Sequence, residues 1–228
     1  MNEVIYEGKY LYIPDRYFHE NLKSRFVRKI YEIEESVMIK NYFDKNDDVL
    51  EIGSCLGYTT CLLSDNCKSV VSVEANPELS EGLSLCKEKN NLNNVTFING
   101  YLDEIKKTIK FQTYDNVVAG SGDREDLTMN NVGGWGGSLK MYDVETITLD
   151  ELLKYNNFNS MMIDMEGGEL KFIQQNIDFL DKSINKICIE LHGFMMKDKD
   201  FNTKCINALK QVGFRLIKQN LITYYFEK

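Results

Sequence analysis

Four side chains in the C-terminal third of the chain could activate a hydroxyl group or hold a hard cation. Asp164 and Glu166 follow one apolar run, SMMI, and Glu190 and His192 close another, KICIELH. Carboxylates and an imidazole in this combination can take a proton as a general base. Alternatively, Asp164 with Glu190 or His192 could bind a divalent ion such as Mg²⁺ that lowers the pKa of a bound hydroxyl. Side chains alternate along a strand, so Asp164 and Glu166 point one way, as do Glu190 and His192. If the two strands are neighbours in an open α/β sheet, all four converge on the crevice at the strands' carboxyl ends. Glu169 sits two residues beyond Gly167, where it is expected to cap the following helix.

A second constellation lies earlier. The run VLEIG leads into EIGSCLGYTT, which places Glu51, Gly53 and Gly57 as acid, x, Gly, x, x, x, Gly, with Ser54 between the glycines and Tyr58 and Thr59 opening a helix. Gly53 allows a sharp turn and a close approach of ligand to backbone. A dinucleotide site would carry G-x-G-x-x-G to seat a pyrophosphate on the helix terminus. The sparser glycines and the Glu51 carboxylate instead suit a positively charged amino-acid moiety, directly or through water. Glu74 and Ala75 end the next run, where an acid accepts hydrogen bonds from ribose hydroxyls. Asn99, Gly100 and Tyr101 end the third run and could border an adenine ring. Ribose acceptor, base border and amino-acid anchor at three successive strand ends form a set of sites shaped for S-adenosylmethionine.

These residues need a sheet to hold them. Short apolar runs at 49 to 53, 69 to 75, 94 to 99, 160 to 165 and 186 to 192 alternate with helical stretches at 58 to 65, 78 to 91, 168 to 180 and 198 to 212. This pattern predicts a parallel sheet with helical crossovers. FRLIKQ and LITYYFEK, with Asn220 between them, predict a closing antiparallel hairpin. Residues 22 to 43 read as one N-terminal helix and residues 1 to 17 as an irregular or short β segment. The division is therefore an N-terminal segment and helix, 1–44, packed on a core domain, 45–228. The stretch 119–140 contains Trp135 and six glycines of the chain's fifteen, and reads either as a functional loop that could close an aromatic face over a substrate or as a mobile surface segment.

Composition narrows the classes. The 228 residues include 27 basic and 35 acidic side chains, a net charge of −8 that argues against a sequence-independent grip on nucleic acid. Six cysteines without a C-x-x-C pair signal neither a zinc knuckle nor a redox dithiol. No membrane span or export signal is read, so a cytoplasmic protein is expected. The only prolines, Pro14 and Pro77, leave no N-P-P-Y-like loop for methylating planar amino groups.

The succession VETITLDELL, SMMIDMEGGELKFIQ and KICIELHG at residues 145 to 192 resembles the FkbM family of S-adenosylmethionine-dependent methyltransferases. The resemblance covers roughly residues 45 to 192, and D-x-E-G-x-E (Asp164, Glu166, Gly167, Glu169) is its most specific part. It departs from the family at Glu51, Ser54, Cys55 and Met162, where Asp, Ala, Asn and Lys are usual. The resemblance implies a Rossmann-like class I methyltransferase sheet of strand order 3-2-1-4-5-7-6. It also implies methyl transfer to oxygen on a sugar, glycoconjugate or other small hydroxylated acceptor. A catalytically inactive module of this fold and a nicotinamide-dependent dehydrogenase are the competing readings.

Overall fold

The computed structural model describes residues 1–114, 120–122 and 139–228. Its strands before the glycine-rich stretch are β1 (Asn2–Tyr6), β2 (Lys9–Ile13), β3 (Asp48–Ile52), β4 (Ser69–Glu74), β5 (Val95–Asn99), β6 (Tyr101–Leu102) and β7 (Thr108–Tyr114). They continue with β8 (Gly120–Gly122), β9 (Leu139–Ile147), β10 (Ser160–Ile163), β11 (Lys186–Glu190), β12 (Arg215–Asn220) and β13 (Thr223–Glu227). The helices are α1 (Glu20–Val27), α2 (Ile33–Tyr42), α3 (Tyr58–Asn66), α4 (Ser80–Lys89), α5 (Leu149–Leu152), α6 (Glu169–Gln175), α7 (Ile177–Ser183) and α8 (Phe201–Gln211).

The five apolar runs form the parallel part of a seven-stranded sheet ordered β12-β13-β11-β10-β3-β4-β5. Counted along the sheet's own strands from the β5 edge, this order is 3-2-1-4-5-7-6. β13 runs antiparallel to β11, and β12 antiparallel to β13, through the C-terminal hairpin.

The parallel strands are largely apolar because both faces of β3, β4, β10 and β11 are buried. Val49, Met162, Cys188 and Tyr225 enter one hydrophobic cluster, whereas Leu50, Met161, Ile187 and Tyr224, each next door in sequence, enter the other. The period of two along a strand thus feeds two cores at once. The first core packs beneath the β1–β2 hairpin, α2 and α3, and the second beneath α6 and α8. On α8, Phe201, Cys205 and Leu209 form the buried stripe at helical spacing.

Three elements differ from the sequence reading. The single helix expected over 22–43 is two, α1 and α2, separated by a turn in which Lys29 (φ 57°) and Glu32 (φ 50°) adopt left-handed backbone. The turn closes on the end of α1 through Lys29 N–H to the Phe26 carbonyl and Ile30 N–H to the Arg25 carbonyl, both 3.0 Å. The helix expected over 168–180 breaks at Asn176, whose side chain donates to the Phe172 carbonyl at 2.9 Å and so competes with the continuing ladder.

The region between β5 and β10 was read without strands. It holds a four-stranded sheet, β6-β9-β7-β8, with β7 antiparallel to both β8 and β9. β8 and the first residues of β9 fall at the two ends of the glycine-rich stretch, while Trp135 lies outside the described residues. Among the described residues no helix is long and apolar enough to cross a membrane.

Candidate active site

The loop after β3 is shaped by contact with its neighbour. Gly53 has φ +89°, and a Cβ there would lie 2.0 Å from the Asp164 carbonyl oxygen at the end of β10, so only glycine lets the two strand ends meet. Gly57, φ +82°, precedes α3, and its missing Cβ leaves room for Leu83 and Cys86 of α4. Cys55 is also left-handed (φ 48°) and donates its N–H to Glu74 Oε2 at 2.8 Å. The other Glu74 oxygen accepts from Asn76 N–H at 2.7 Å. Burial raises the Glu74 pKa to about 7, although these N–H groups pull it back.

A cleft of about 350 Å³ opens above these strand ends. Gly53, Glu74, Ala75, Gly100 and Tyr101 line it, as do Asp164, Glu166, Glu190 and His192. Ser54, Tyr58 and Thr59 line a small adjoining recess instead. Gly57 is turned toward α4, and Asn99 donates its side-chain N–H to the Glu74 carbonyl at 2.8 Å. Tyr101 borders the cleft with Phe111 of β7, the ring centroids 6.3 Å apart.

Glu51 is placed differently from the amino-acid anchor read in the sequence. It is fully buried and lines neither the cleft nor the recess. Its oxygens accept from the hydroxyls of Thr59 (2.7 Å), Thr60 (2.5 Å) and Ser72 (2.6 Å), tying α3 and β4 to β3. Burial raises its pKa, and the three hydroxyls work against that shift.

The four residues read as catalytic do converge. His192, 3% exposed, presents Nε2 to Glu190 Oε1 at 3.4 Å, Glu166 Oε2 at 3.5 Å and Asp164 Oδ1 at 3.7 Å. Its Nδ1 lies 2.7 Å from Glu169 Oε1, which also accepts the Gly167 N–H at 2.9 Å. Glu169 therefore does more than close a helix end: it sits fully buried behind the imidazole and fixes its orientation.

Burial opposes a charge on His192, yet Glu166, Glu169, Glu190 and Asp164 together raise its pKa well above the usual value. Burial, with Glu190 and Glu166 nearby, raises Asp164 well above the carboxylate range, His192 acting against the shift. Glu166 is raised by burial, with His192 pulling it back.

One ligand atom each from Asp164, Glu190 and His192 lies within 4.8 Å of the others. Asp164 Oδ1 is buried without a hydrogen-bond partner. The spacings and the orphaned oxygen fit a divalent cation held by two carboxylates and an imidazole.

Sequence reading missed the contribution of the N-terminal helices. Arg25, Tyr31 and Glu32 line the cleft, and Phe194 and Ile222 stand with them. Behind them Glu35, buried, accepts from the Thr223 hydroxyl, and burial together with Glu190 raises its pKa to about 7. The signal was the acidic run E-I-E-E at 32 to 35, set in a helix otherwise packed on the sheet. Phe194 stays 63% exposed although its ring centroid is 5.8 Å from that of His192, leaving an aromatic face at the cleft mouth.

The Methyltransferase FkbM domain profile matches residues 46–216. No curated protein sequence matches the chain. Among solved structures, a methyltransferase FkbM from Methylobacillus flagellatus KT aligns with TM-score 0.54 at 10% identity, covering 82% of this chain and 44% of that one. The chain thus spans less than half the length of that protein. Precorrin-6y C5,15-methyltransferase from Geobacter metallireducens GS-15 aligns with TM-score 0.50 at 12% identity, covering 96% and 95%. The tRNA m1G37 methyltransferase of M. jannaschii aligns with TM-score 0.50 at 13% identity, covering 99% of this chain and 56% of that one. At these identities the likeness bears on the fold alone: a Rossmann-like methyltransferase sheet.

Proposed function

Because the chain belongs to the FkbM methyltransferase family, we propose that it transfers a methyl group from S-adenosylmethionine to an oxygen of a small hydroxylated acceptor, a sugar or glycoconjugate being favoured. The observation that carries this reading is the position of His192 Nε2, 3.4–3.7 Å from three carboxylates and over the same cleft as Gly53 and Glu74. A hydroxyl is a weak nucleophile until its proton is removed or shared. The bound cofactor supplies an electrophilic methyl group, and the protein's share is orientation, proton removal and exclusion of water.

In this reading Glu74 receives the ribose hydroxyls, and Ala75, Gly100 and Tyr101 border the adenine. In its neutral form, reached as pH rises through the pKa that the surrounding carboxylates raise, His192 takes the acceptor's proton at Nε2. Glu169, bonded to Nδ1, keeps that lone pair turned to the cleft; Glu166 and Glu190 hold the acceptor's other hydroxyls, and with Asp164 they stabilise the imidazolium once formed. Phe194 offers its face to an apolar sugar edge. The net charge of −8 argues against a polyanionic acceptor. The closing role read for Trp135 belongs to the same proposal.

The spacing of Asp164, Glu190 and His192 favours a second version. In it these three residues hold a hard divalent ion such as Mg²⁺, whose chemistry is to lower the pKa of a bound hydroxyl. The test is incubation with S-adenosylmethionine and a panel of neutral sugars and polyols, with and without chelator, reading S-adenosylhomocysteine. Turnover that survives chelation selects the His192 version, and turnover restored only by added ion selects the second. Tight cofactor binding with no turnover on any acceptor returns the chain to the inactive-module reading.

A further inference from the structure

With Glu51 consumed by three hydroxyls, the cofactor's amino-acid end needs another anchor. The small recess beside the cleft has the required character. About 10 Å³ in volume, it takes one water-sized group. Tyr31, Glu32, Ser54, Cys55 and Asp164 are among its walls. Ser54 is 1% exposed, and its Oγ has no hydrogen-bond partner; neither has Asp164 Oδ1. Two orphaned oxygens and a carboxylate around one small space are three acceptors, the complement of the three N–H donors of a primary ammonium group.

The backbone is committed to this arrangement. Among the described residues seven non-glycine positions have left-handed φ, and three of them, Glu32, Cys55 and Glu166, line the cleft. Such backbone persists where surrounding contacts enforce it. Here the Ser36 hydroxyl and N–H both donate to the Glu32 carbonyl, at 2.6 and 3.0 Å. Tyr31 OH lies 3.4 Å from Cys55 Sγ, joining the turn to the glycine loop. At the mouth, the Arg25 guanidinium carbon stands 5.4 Å from the Tyr31 ring centroid.

We propose that the turn between α1 and α2 completes the cofactor site: Glu32, Asp164 Oδ1 and Ser54 Oγ receive the α-ammonium, and Arg25 meets the α-carboxylate. Glu32 and Arg25 lie outside the family match at residues 46–216, so the N-terminal segment is part of the binding site as well as a cover. The inference rests on S-adenosylmethionine being the cofactor.

The experiment compares calorimetric affinities for S-adenosylmethionine and for 5′-methylthioadenosine, which has the same nucleoside but no amino-acid end. The wild type is expected to bind S-adenosylmethionine more tightly, and Glu32→Gln to lose at least about tenfold of that affinity while keeping methylthioadenosine within about twofold. Retained methylthioadenosine binding also certifies that the variant is folded. Glu32→Asn, which tolerates left-handed backbone, is expected to repeat the result. Equal affinity of the wild type for both ligands, or a variant that weakens both alike or neither, overturns the inference and leaves the cofactor reading intact. A wild type that binds neither ligand overturns both.

Discussion

Glu51 and Asp164 come from neighbouring parallel strands, one residue before and one residue after the paired Ile52 and Ile163, and their surroundings are opposite. Glu51 is wholly enclosed, with both oxygens filled by hydroxyls of the chain. Asp164 faces a cleft with one oxygen unpartnered and with Glu166, Glu190 and His192 around it. A buried carboxylate with a full set of donors is part of the scaffold. One left incomplete, among like charges, at the end of a central strand, is arranged for something the chain does not itself contain.

The largest effect that separates the two is on rate. His192→Ala removes the group facing Asp164 and is expected to lower turnover by about 10²–10⁴-fold, with little change in cofactor affinity. Turnover within about threefold of wild type would erase the distinction, because the cleft cluster would then be as structural as Glu51.

Next in size is the pH dependence of stability. Glu35 and Glu74 hold pKa values of about 7 against the ordinary 4.5, so the unfolded chain loses these protons first as pH rises. Between about pH 5 and 8 the folded state binds more protons than the unfolded one, and stability falls as pH rises, by at most about 3 kcal/mol per carboxyl. His192, raised above 6.5, acts in the same direction: its contribution is complete below 6.5 and is lost as pH climbs through its folded value. Melting curves across this range should drop by roughly 10 °C. Glu35→Gln should flatten the slope, and an unchanged slope would remove Glu35 from the account.

Glu51→Ala should destabilise by about 2–3 kcal/mol, since three buried hydroxyls lose their acceptor. A Glu51→Ala chain with wild-type melting temperature but lost cofactor binding would reverse its assignment. The smallest effect is expected at Glu74. Its substitution by Ala should cost roughly tenfold in affinity for S-adenosylmethionine and methylthioadenosine alike, in contrast to Glu32→Gln, which should distinguish them.

The sheet was legible because β3, β4, β10 and β11 are buried on both faces and so write themselves as largely apolar runs, as in Val49–Leu50 and Met161–Met162–Ile163. The convergence of Asp164, Glu166, Glu190 and His192 was legible for a related reason: adjacent parallel strands end side by side. Where a side chain turns within the loop was not legible. Glu51 looked like a ligand anchor because nothing in its own sequence neighbourhood shows that Ser72, on the next strand, and Thr59 and Thr60, one helical start away, will close on it.

The α1–α2 turn was hidden for the opposite reason. Residues 28–32 carry charges compatible with a continuing helix, and the break is fixed by the turn's own hydrogen bonds together with contacts distant in sequence, Tyr6 OH to the Tyr31 carbonyl and Tyr31 OH to Cys55 Sγ. The added sheet of β7 and β9 escaped notice because its strands are half exposed and mix apolar with polar and charged residues, without an apolar run.

The most direct test uses S-adenosylmethionine carrying a trideuterated methyl group, incubated with wild type and His192→Ala in the presence of neutral sugars and polyols. The account predicts that the label appears on a hydroxyl oxygen of an acceptor, in step with S-adenosylhomocysteine, and that His192→Ala forms at least a hundredfold less. Label transferred to nitrogen or carbon, or transferred at the wild-type rate by His192→Ala, would contradict it.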